Sequence, residues 1–367
     1  MPMLILPGQD RLELHISRRE LFRWTAGALG GLAAGLIDRP RPAAAAGELD
    51  FLFPGGTWKE YFERIYTAPF AKEKGVQVVF SVGDVAQQMS RVIAERQNER
   101  FDLFHVHQYL AAQLADLDLV VPPDPRIVTN LGDVDPAFRF PGFVGKVLAP
   151  FGLTYNIKKS GKKVASWTDL WDPAFAGRVA IPKWDWVGNT WFYAVNRVWG
   201  GTEENVDPGM AKCRELVKKS RAIVMNSVEH GLNLFQTEEI LIAPFYTART
   251  EQAKQAGVPV EFVFPEEGGL NWAFNVVIIK GRSAAQTTLA QEFLNTTISP
   301  VRNAEFAILT GYPPTSRKAM GLLPRTSNVL LTPAQMANLG KLRFDVKTML
   351  LRRDSHAERW NKEVLAS

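Results

Sequence analysis

Short strand-forming stretches alternate with stretches of helical spacing from residue 49 onward, and this alternation constrains the fold more than any other feature. The strand-like runs at residues 49–53, 76–80 and 101–106 are each followed by a turn and then by a helical pattern. Three such units in succession predict an α/β fold, in which the strands share a largely parallel sheet.

The same alternation indicates where a ligand would bind. In open α/β sheets, ligands lie beyond the carboxyl ends of the strands, where helix N-termini present free amides. The loops after the three strands therefore predict one wall of a site; they are residues 54–58, 81–84 and 105–109. Asp84 directly precedes a helical pattern, with Gln87 three residues later, so we expect Asp84 to cap that helix.

A β-rich stretch at residues 146–156, with Pro150 and Gly152 in its middle, predicts a segment that crosses between two domains. Later strands at residues 260–265 and 275–280 are expected to return the chain to the first domain. The predicted division is a first domain of residues 47–149 and 276–320, a second domain of residues 150–275 that includes the crossing strands, and a helical tail of residues 321–367.

The first 46 residues have the pattern of an export signal. Residues 17–23 read Ser-Arg-Arg-Glu-Leu-Phe-Arg and resemble the twin-arginine motif, and residues 24–37 form an apolar, glycine-rich run. This run is shorter than the roughly 20 apolar residues of a membrane span, so it favours the core of an export peptide. Alanines at 43–46 predict cleavage near Ala46, export by the twin-arginine translocase and a periplasmic location.

Charge and cysteine content exclude several functions. Six of the 43 basic residues and four of the 38 acidic residues lie before residue 47, which leaves a net charge of about +3 without a clustered basic face. We therefore expect no nucleic-acid partner. The single cysteine, Cys213, excludes internal disulfides and cysteine-ligated iron–sulfur clusters. We expect a monomer without a cofactor.

Four stretches occur in a characteristic order along the chain. They are residues 101–103 (FDL), 166–182 (SWTDLWDPAFAGRVAIP), 264–269 (FPEEGG) and 311–315 (GYPPT). Together they resemble the periplasmic solute-binding proteins of ABC importers, in the branch with the spermidine/putrescine-binding and ferric-iron-binding proteins. The resemblance implies a type II periplasmic binding protein fold: two α/β domains with mixed sheets, joined by crossing strands, which enclose a solute by hinge closure. It also implies delivery of the solute to a membrane permease and its ATPase.

Local matches to the polyamine-binding members imply the ligand-binding residues. Ring faces and carboxylates attract an organic cation, and most matched positions are aromatic. Asn275 stands where those members have an aspartate, which leaves this chain one acid short. We therefore expect a small organic amine or polyamine-like solute, with a singly charged amine or a zwitterion favoured over a true polyamine. The expected contacts are Trp58, Glu60, His107, Tyr109, Asp185, Trp186, Phe245, Tyr246, Trp272, Asn275 and Tyr312.

Other functions stay open. His105 and His107, two apart on a strand end, would bind a metal only with a third ligand, and the ferric-binding members use an adjacent tyrosine pair that this chain lacks. We expect His105 to be packed and His107 to hydrogen-bond a polar ligand. An arginine such as Arg249 or Arg178 in the cleft would indicate an anion or a zwitterion. An exported enzyme is disfavoured, because Gly-x-Ser-x-Gly, HExxH and phosphate-loop motifs are absent.

Overall fold

The strands of the protein divide between two main sheets, as the predicted crossing stretch requires. The computed structural model describes residues 47–97, 100–184, 189–325, 327 and 329–366; the predicted export signal lies outside them. The described strands are β1 (Glu48–Phe53), β2 (Gln77–Val82), β3 (Leu103–His107), β4 (Val120–Val121), β5 (Gly145–Leu148), β6 (Phe151–Asn156), β7 (Ala180–Pro182), β8 (Ile223–Met225), β9 (Ile242–Tyr246), β10 (Val260–Val263) and β11 (Ala273–Ile279).

Helices follow most of these strands, as the alternation predicts. The described α-helices are α1 (Thr57–Phe62), α2 (Ala68–Lys74), α3 (Val85–Ala94), α4 (Gln108–Asp116), α5 (Thr190–Val198), α6 (Asp207–Lys218), α7 (Val228–Gln236), α8 (Thr247–Gln255), α9 (Ala284–Thr297), α10 (Pro300–Thr310), α11 (Arg317–Leu322), α12 (Pro333–Leu339) and α13 (Val346–Arg359). A π-helical segment, Glu63–Thr67, joins α1 to α2, and a second one, Trp360–Leu365, follows α13.

The first sheet has the order β2-β1-β3-β11-β4, and β5 also pairs with β11. Strands β1, β2 and β3 are parallel, whereas β11 runs antiparallel to β3, β4 and β5. Alternation along β1 places Phe51 and Phe53 in the larger core cluster and Leu52 in a second cluster on the other face. A late strand therefore lies inside the sheet that the early strands begin.

The second sheet has the antiparallel order β10-β6-β9. Strands β7 and β8 form a parallel pair, and a parallel bridge between Val179 and Ile242 links this pair to β9. The mixed sheets confirm the predicted α/β fold class.

The crossing segments connect the two sheets and are hydrogen-bonded to each other. Only Ala149 and Pro150 separate β5 in the first sheet from β6 in the second. The Phe151 and Leu270 backbones exchange hydrogen bonds of 2.8 Å in both directions, and the Ala149 N–H donates to the Trp272 carbonyl at 2.9 Å. The predicted crossing stretch at 146–156 and the return of the chain after β10 are therefore both confirmed. The exact domain limits stay a prediction.

One local prediction is confirmed, and one helix was not predicted. Asp84 caps α3, because its carboxylate accepts hydrogen bonds from the Ala86 and Gln87 amides at 3.0 and 3.1 Å. Helix α8 was not expected from the sequence. Its buried side chains are the small Ala248, Thr250 and Ala253, so it has no apolar stripe to reveal it.

None of the helices in the part of the chain that the structure describes has the length and apolar character needed to cross a membrane.

The backbone of β6 leaves no space for a side chain at Gly152. A Cβ atom there would overlap the Val263 carbonyl oxygen and lie 2.8 Å from the Phe262 ring. We expect Gly152→Ala to lower the free energy of unfolding by roughly 1–3 kcal/mol, because β6 and β10 would have to separate. Urea unfolding followed by circular dichroism measures this. Gly321→Ala is the control, since nothing lies within 4 Å of that position; equal stability of the two variants would contradict the prediction.

Candidate functional site

Four predicted ligand-binding residues meet where the two sheets are joined. The ring centroids of Trp58 and Tyr312 are 5.0 Å apart, those of Tyr312 and Tyr246 are 6.0 Å apart, and those of Tyr246 and Trp272 are 5.8 Å apart. All three pairs are edge-to-face, which is a favoured arrangement of aromatic rings. We call these four residues the aromatic cluster.

Each member of the aromatic cluster is positioned by a turn or a crossing. Trp58 is the second residue of α1, which follows two glycines with positive φ, Gly55 and Gly56. Tyr246 ends β9, and Trp272 lies in the crossing segment before β11. Tyr312 follows the left-handed Gly311, which ends α10. The cluster therefore combines a helix residue, a loop residue, the last residue of β9 and a residue of the crossing segment before β11.

The aromatic cluster is enclosed. Trp272, Tyr312 and Tyr246 are 1%, 3% and 4% exposed, and Trp58 is half-buried. Phe151 on β6 packs against the cluster. Its ring centroid lies 5.1 Å from that of Tyr246 and 5.5 Å from that of Trp272. Such a site offers ring faces in a low-dielectric environment, where their attraction for a cation is strongest.

An arginine adjoins the cluster. Arg249, in the first turn of α8, lies beside the Tyr312 hydroxyl. Burial raises the pKa of Tyr312, the Arg249 charge and hydrogen bonding lower it, and the charge of Glu229 raises it. One Arg249 nitrogen donates to Gln252 Oε1 at 2.8 Å, but its buried Nε has no hydrogen-bond partner among the described residues.

Arg178, the other arginine considered for the cleft, has a different role. Its guanidinium donates to the backbone carbonyls of Glu239, at 3.1 Å, and Glu238. The residue precedes β7, so it lies at the opposite end of that strand from the loop that leads to α5. Of the two arginines, Arg249 is the one that the structure places at the aromatic cluster.

His107 and Tyr109 lie together at the carboxyl end of β3. Their ring centroids are 5.9 Å apart, and His107 is in the N-cap position of α4. Burial, with a smaller contribution from the charge of Arg353, lowers the pKa of His107 to about 4. His107 is therefore neutral at physiological pH, and its buried Nδ1 has no hydrogen-bond partner within the described ranges. It can bond a polar ligand without adding positive charge.

Several predicted residues are not brought to the cluster. Glu60 is exposed on α1. Asn275 lies on the face of β11 opposite Phe274, and its amide donates to the Val106 and Ala273 carbonyls at 3.2 Å. Phe245 belongs to a different core cluster from Tyr246 and packs on Phe235 with ring centroids 5.9 Å apart, while its ring centroid lies 6.4 Å from that of Tyr246. Asp185 and Trp186 lie outside the described residues. A ligand role for these five stays a prediction.

His105 is packed, as expected. Its ring lies among those of Phe53, Trp58 and Phe62, at centroid distances of 4.8, 5.2 and 5.2 Å. Burial lowers its pKa well below the ordinary histidine value, and the charge of Lys146 adds to this effect. No group of three or more His, Cys, Asp or Glu side chains suited to a metal is found in the described part of the chain.

No sequence pattern indicates that a lysine lies in the interior. Lys146 on β5 is fully buried, and its Nζ lies 3.4 Å from the Phe306 ring centroid, 4.4 Å from that of Phe62 and 4.8 Å from that of Tyr66. Nζ has no hydrogen-bond partner in the part of the chain that is described. Burial lowers the pKa of Lys146 well below the ordinary lysine value. Rings from α1, the π-helical segment that follows it and α10 therefore surround the protein's own amine.

Comparison with known proteins identifies the family. Residues 66–328 match the bacterial extracellular solute-binding proteins. The chain belongs to this family. It is 25% identical over 328 residues to the spermidine/putrescine-binding periplasmic protein of Salmonella typhimurium, covering 86% of this chain and 92% of that protein. It is 23% identical over 303 residues to spermidine/putrescine-binding periplasmic protein 1 of Haemophilus influenzae, covering 78% and 81%.

Solved structures give the same fold. An ABC transporter protein from Clostridium perfringens superposes with a TM-score of 0.70 at 19% identity, covering 87% of this chain and 99% of that one. A putative spermidine/putrescine ABC transporter protein from Listeria monocytogenes superposes with a TM-score of 0.69 at 20% identity, covering 88% and 100%. The two-domain type II periplasmic binding fold is thereby confirmed. Family membership also confirms a periplasmic binding function rather than an enzymatic one.

Lys146→Met is expected to stabilise the fold at neutral pH. The folded-state pKa of Lys146 is lowered, so the unfolded chain binds more protons between the two pKa values and stability rises with pH. Methionine removes this penalty, so Lys146→Met should have the higher melting temperature at pH 7. Thermal unfolding at pH 7 and pH 10 should show a gain that shrinks at the higher pH.

The matched control for this substitution is Lys219→Met, which changes an exposed lysine and should leave the melting temperature nearly unchanged. A lower melting temperature for Lys146→Met than for the wild type at pH 7 would contradict the prediction. It would mean that the contacts between the ammonium group and the rings stabilise the fold by more than burial of the charge costs.

Proposed function

We propose that this protein is the periplasmic solute-binding component of an ABC importer and that the aromatic cluster captures a small organic amine. The observation that carries the proposal is the continuous series of ring contacts from Trp58 through Tyr312 and Tyr246 to Trp272. An ammonium group over such rings gains roughly 0.5–2 kcal/mol for each contact.

The surroundings of the cluster suit an amine. His107, whose backbone pairs with that of Phe274, a ring neighbour of Trp58, is neutral at physiological pH, so it does not repel a cation. Glu229, in the first turn of α7, is near enough for its charge to affect the Tyr312 hydroxyl, and it supplies a carboxylate that the sequence reasoning missed. The curated relatives named as spermidine/putrescine-binding proteins support the same solute class.

The position of the cluster supports capture by hinge closure. Trp58 belongs to the first sheet's side, Tyr246 to the second, and Trp272 to the crossing segment between them. A solute that touches all three is held only when the two domains approach each other. Closure would then present a single shape of the loaded protein to the permease and its ATPase.

Ferric iron is a weaker alternative. The described residues contain no group of three metal-ligating side chains, and His105 is occupied by its aromatic neighbours. Iron sites in proteins need several oxygen or nitrogen ligands around one point. The observations therefore favour an organic solute over a metal ion.

We also propose that the chain reaches the periplasm through the twin-arginine translocase and acts there as a monomer. The support is the sequence of residues 17–46, in which an arginine pair, a short apolar run and an alanine site follow in order. The family functions outside the cytoplasm, which agrees with an export signal of some kind.

Tyr246→Ala and Trp272→Ala should each weaken binding of the amine solute by roughly tenfold or more, because each removes a ring from the enclosed cluster. Thermal-shift screening of small amines identifies a ligand, and calorimetry with the purified variants measures its affinity. Tyr61→Ala is the control, as this tyrosine lies outside the cluster and contacts Arg64. Unchanged affinity in both cluster variants would refute the proposed site.

Replacing Arg18 and Arg19 together with lysine should leave the precursor in the cytoplasm, because the translocase reads the guanidinium pair and not charge alone. Cell fractionation followed by immunoblotting measures the distribution. The matched control replaces Arg39 and Arg41 with lysine in the same leader and should be exported normally. Normal export of the Arg18/Arg19 variant would contradict the twin-arginine assignment.

A further inference from the structure

We infer that the solute carries a carboxylate as well as an amine, and that Arg249 and the indole N–H of Trp272 bind this carboxylate. The inference rests on the proposed function, since it names the class of solute for the same site. The solute would then be a zwitterion of the ω-amino-acid type and not a polyamine.

The first observation is the chemical nature of the unsatisfied groups at the cluster. Arg249 Nε and Trp272 Nε1 are both buried without hydrogen-bond partners among the residues described. Each is a donor that cannot accept a hydrogen bond. A buried donor without a partner costs about 1–3 kcal/mol, so a ligand that satisfies these groups gains affinity. An ammonium group is itself only a donor and cannot satisfy them, whereas a carboxylate can.

The second observation is that both donors adjoin the same pair of tyrosines. Trp272 contacts Tyr246, Tyr246 contacts Tyr312, and Arg249 lies beside the Tyr312 hydroxyl. The close approach of the backbones holds this arrangement, because a Cβ atom at Gly311 would lie only 3.1 Å from the Ala248 Cβ. The first turn of α8 is thus pressed against the loop that carries Tyr312.

The position of Arg249 suits recognition of an anion. Its guanidinium can form two parallel hydrogen bonds to one carboxylate. It lies in the first turn of α8, where the helix dipole also favours negative charge. The hydrogen bond from Nη1 to Gln252 Oε1 fixes the side chain before a ligand arrives, which lowers the entropic cost of binding.

Groups of the opposite preference serve the other end of the solute. Glu229 supplies negative charge near Tyr312, and Trp58 supplies a ring face on the first sheet's side. A zwitterion would match a cationic and an anionic group at once. A diamine would bring a second ammonium near Arg249, where like charges repel.

The test uses probes of equal length that differ only in their end groups. Calorimetry on the purified protein compares ω-amino acids of three to six carbons with the diamines and the unsubstituted monocarboxylates of the same lengths. We expect at least one ω-amino acid to bind at least tenfold more tightly than both of its length-matched partners.

Substitutions then assign the contacts. Arg249→Met should weaken binding of that ω-amino acid tenfold or more and leave the diamine's affinity unchanged or higher. Trp272→Phe keeps a ring but removes the donor, so it should weaken the ω-amino acid several-fold and spare the diamine. Arg178→Met is the matched control, since its guanidinium binds backbone carbonyls of Glu238 and Glu239, and it should change neither affinity. Circular dichroism confirms that each variant is folded.

The outcomes separate this inference from the proposed function. A diamine bound as tightly as its ω-amino acid, with equal effects of Arg249→Met on both, overturns the carboxylate contact and leaves the amine site standing. Monocarboxylates bound as tightly as ω-amino acids overturn the amine site and support the carboxylate contact. Binding of none of the three classes overturns both.

Discussion

The hydrogen-bonded pairing between the two crossing segments is the constraint on which the rest of the structure depends. It runs from Ala149 to Phe151 on one side and from Leu270 to Trp272 on the other. Strands β5 and β11 belong to the first sheet, and β6 belongs to the second. This short ladder therefore sets where β5 ends and where β6 and β11 begin. It also carries Trp272 into the aromatic cluster. The hinge and the candidate site are therefore not separate parts of the molecule, and a change in the ladder alters the geometry of the site directly.

Two different uses of aromatic side chains lie next to each other in the first domain. Phe62, Tyr66 and Phe306 surround the amine of Lys146. Trp58 instead contacts Tyr312, and Tyr312 contacts Tyr246 on the second sheet. The first group encloses the amine of Lys146, whose pKa is lowered by burial and which has no hydrogen-bond partner among the described residues. The second is shared between domains and is completed only by Tyr246. Aromatic content by itself therefore does not mark a ligand site in this protein. The candidate site is marked by rings that come from both sides of the crossing segments.

Periodicity predicted most of the strands and helices, but neither their arrangement nor the site in full. Strands, helices and the crossing stretch follow from local apolar patterns, and the resemblance supplied their arrangement. Phe245 and Tyr246 show the limit: adjacent residues on a strand face opposite ways, and a one-residue change of register exchanges them. The same parity directs Asn275 away from Trp58. Lys146 and Glu229 were missed because nothing in their neighbouring sequence distinguishes a buried lysine or a cleft-side acid. Those properties arise from distant contacts, such as that of Lys146 with Phe306.

The place of β11 in the first sheet governs when this protein can fold. Strand β11 lies between β3 and β4, yet more than 150 residues of chain are synthesised between β4 and β11. When the early strands leave the ribosome, the edge of β3 that later pairs with β11 has no partner. It stays without this partner until the second domain has been synthesised. Pairings of such long sequence separation form slowly and favour completion after release of the chain. The proposed twin-arginine route would suit this order of events, because it would carry the protein across the membrane after the sheet had closed.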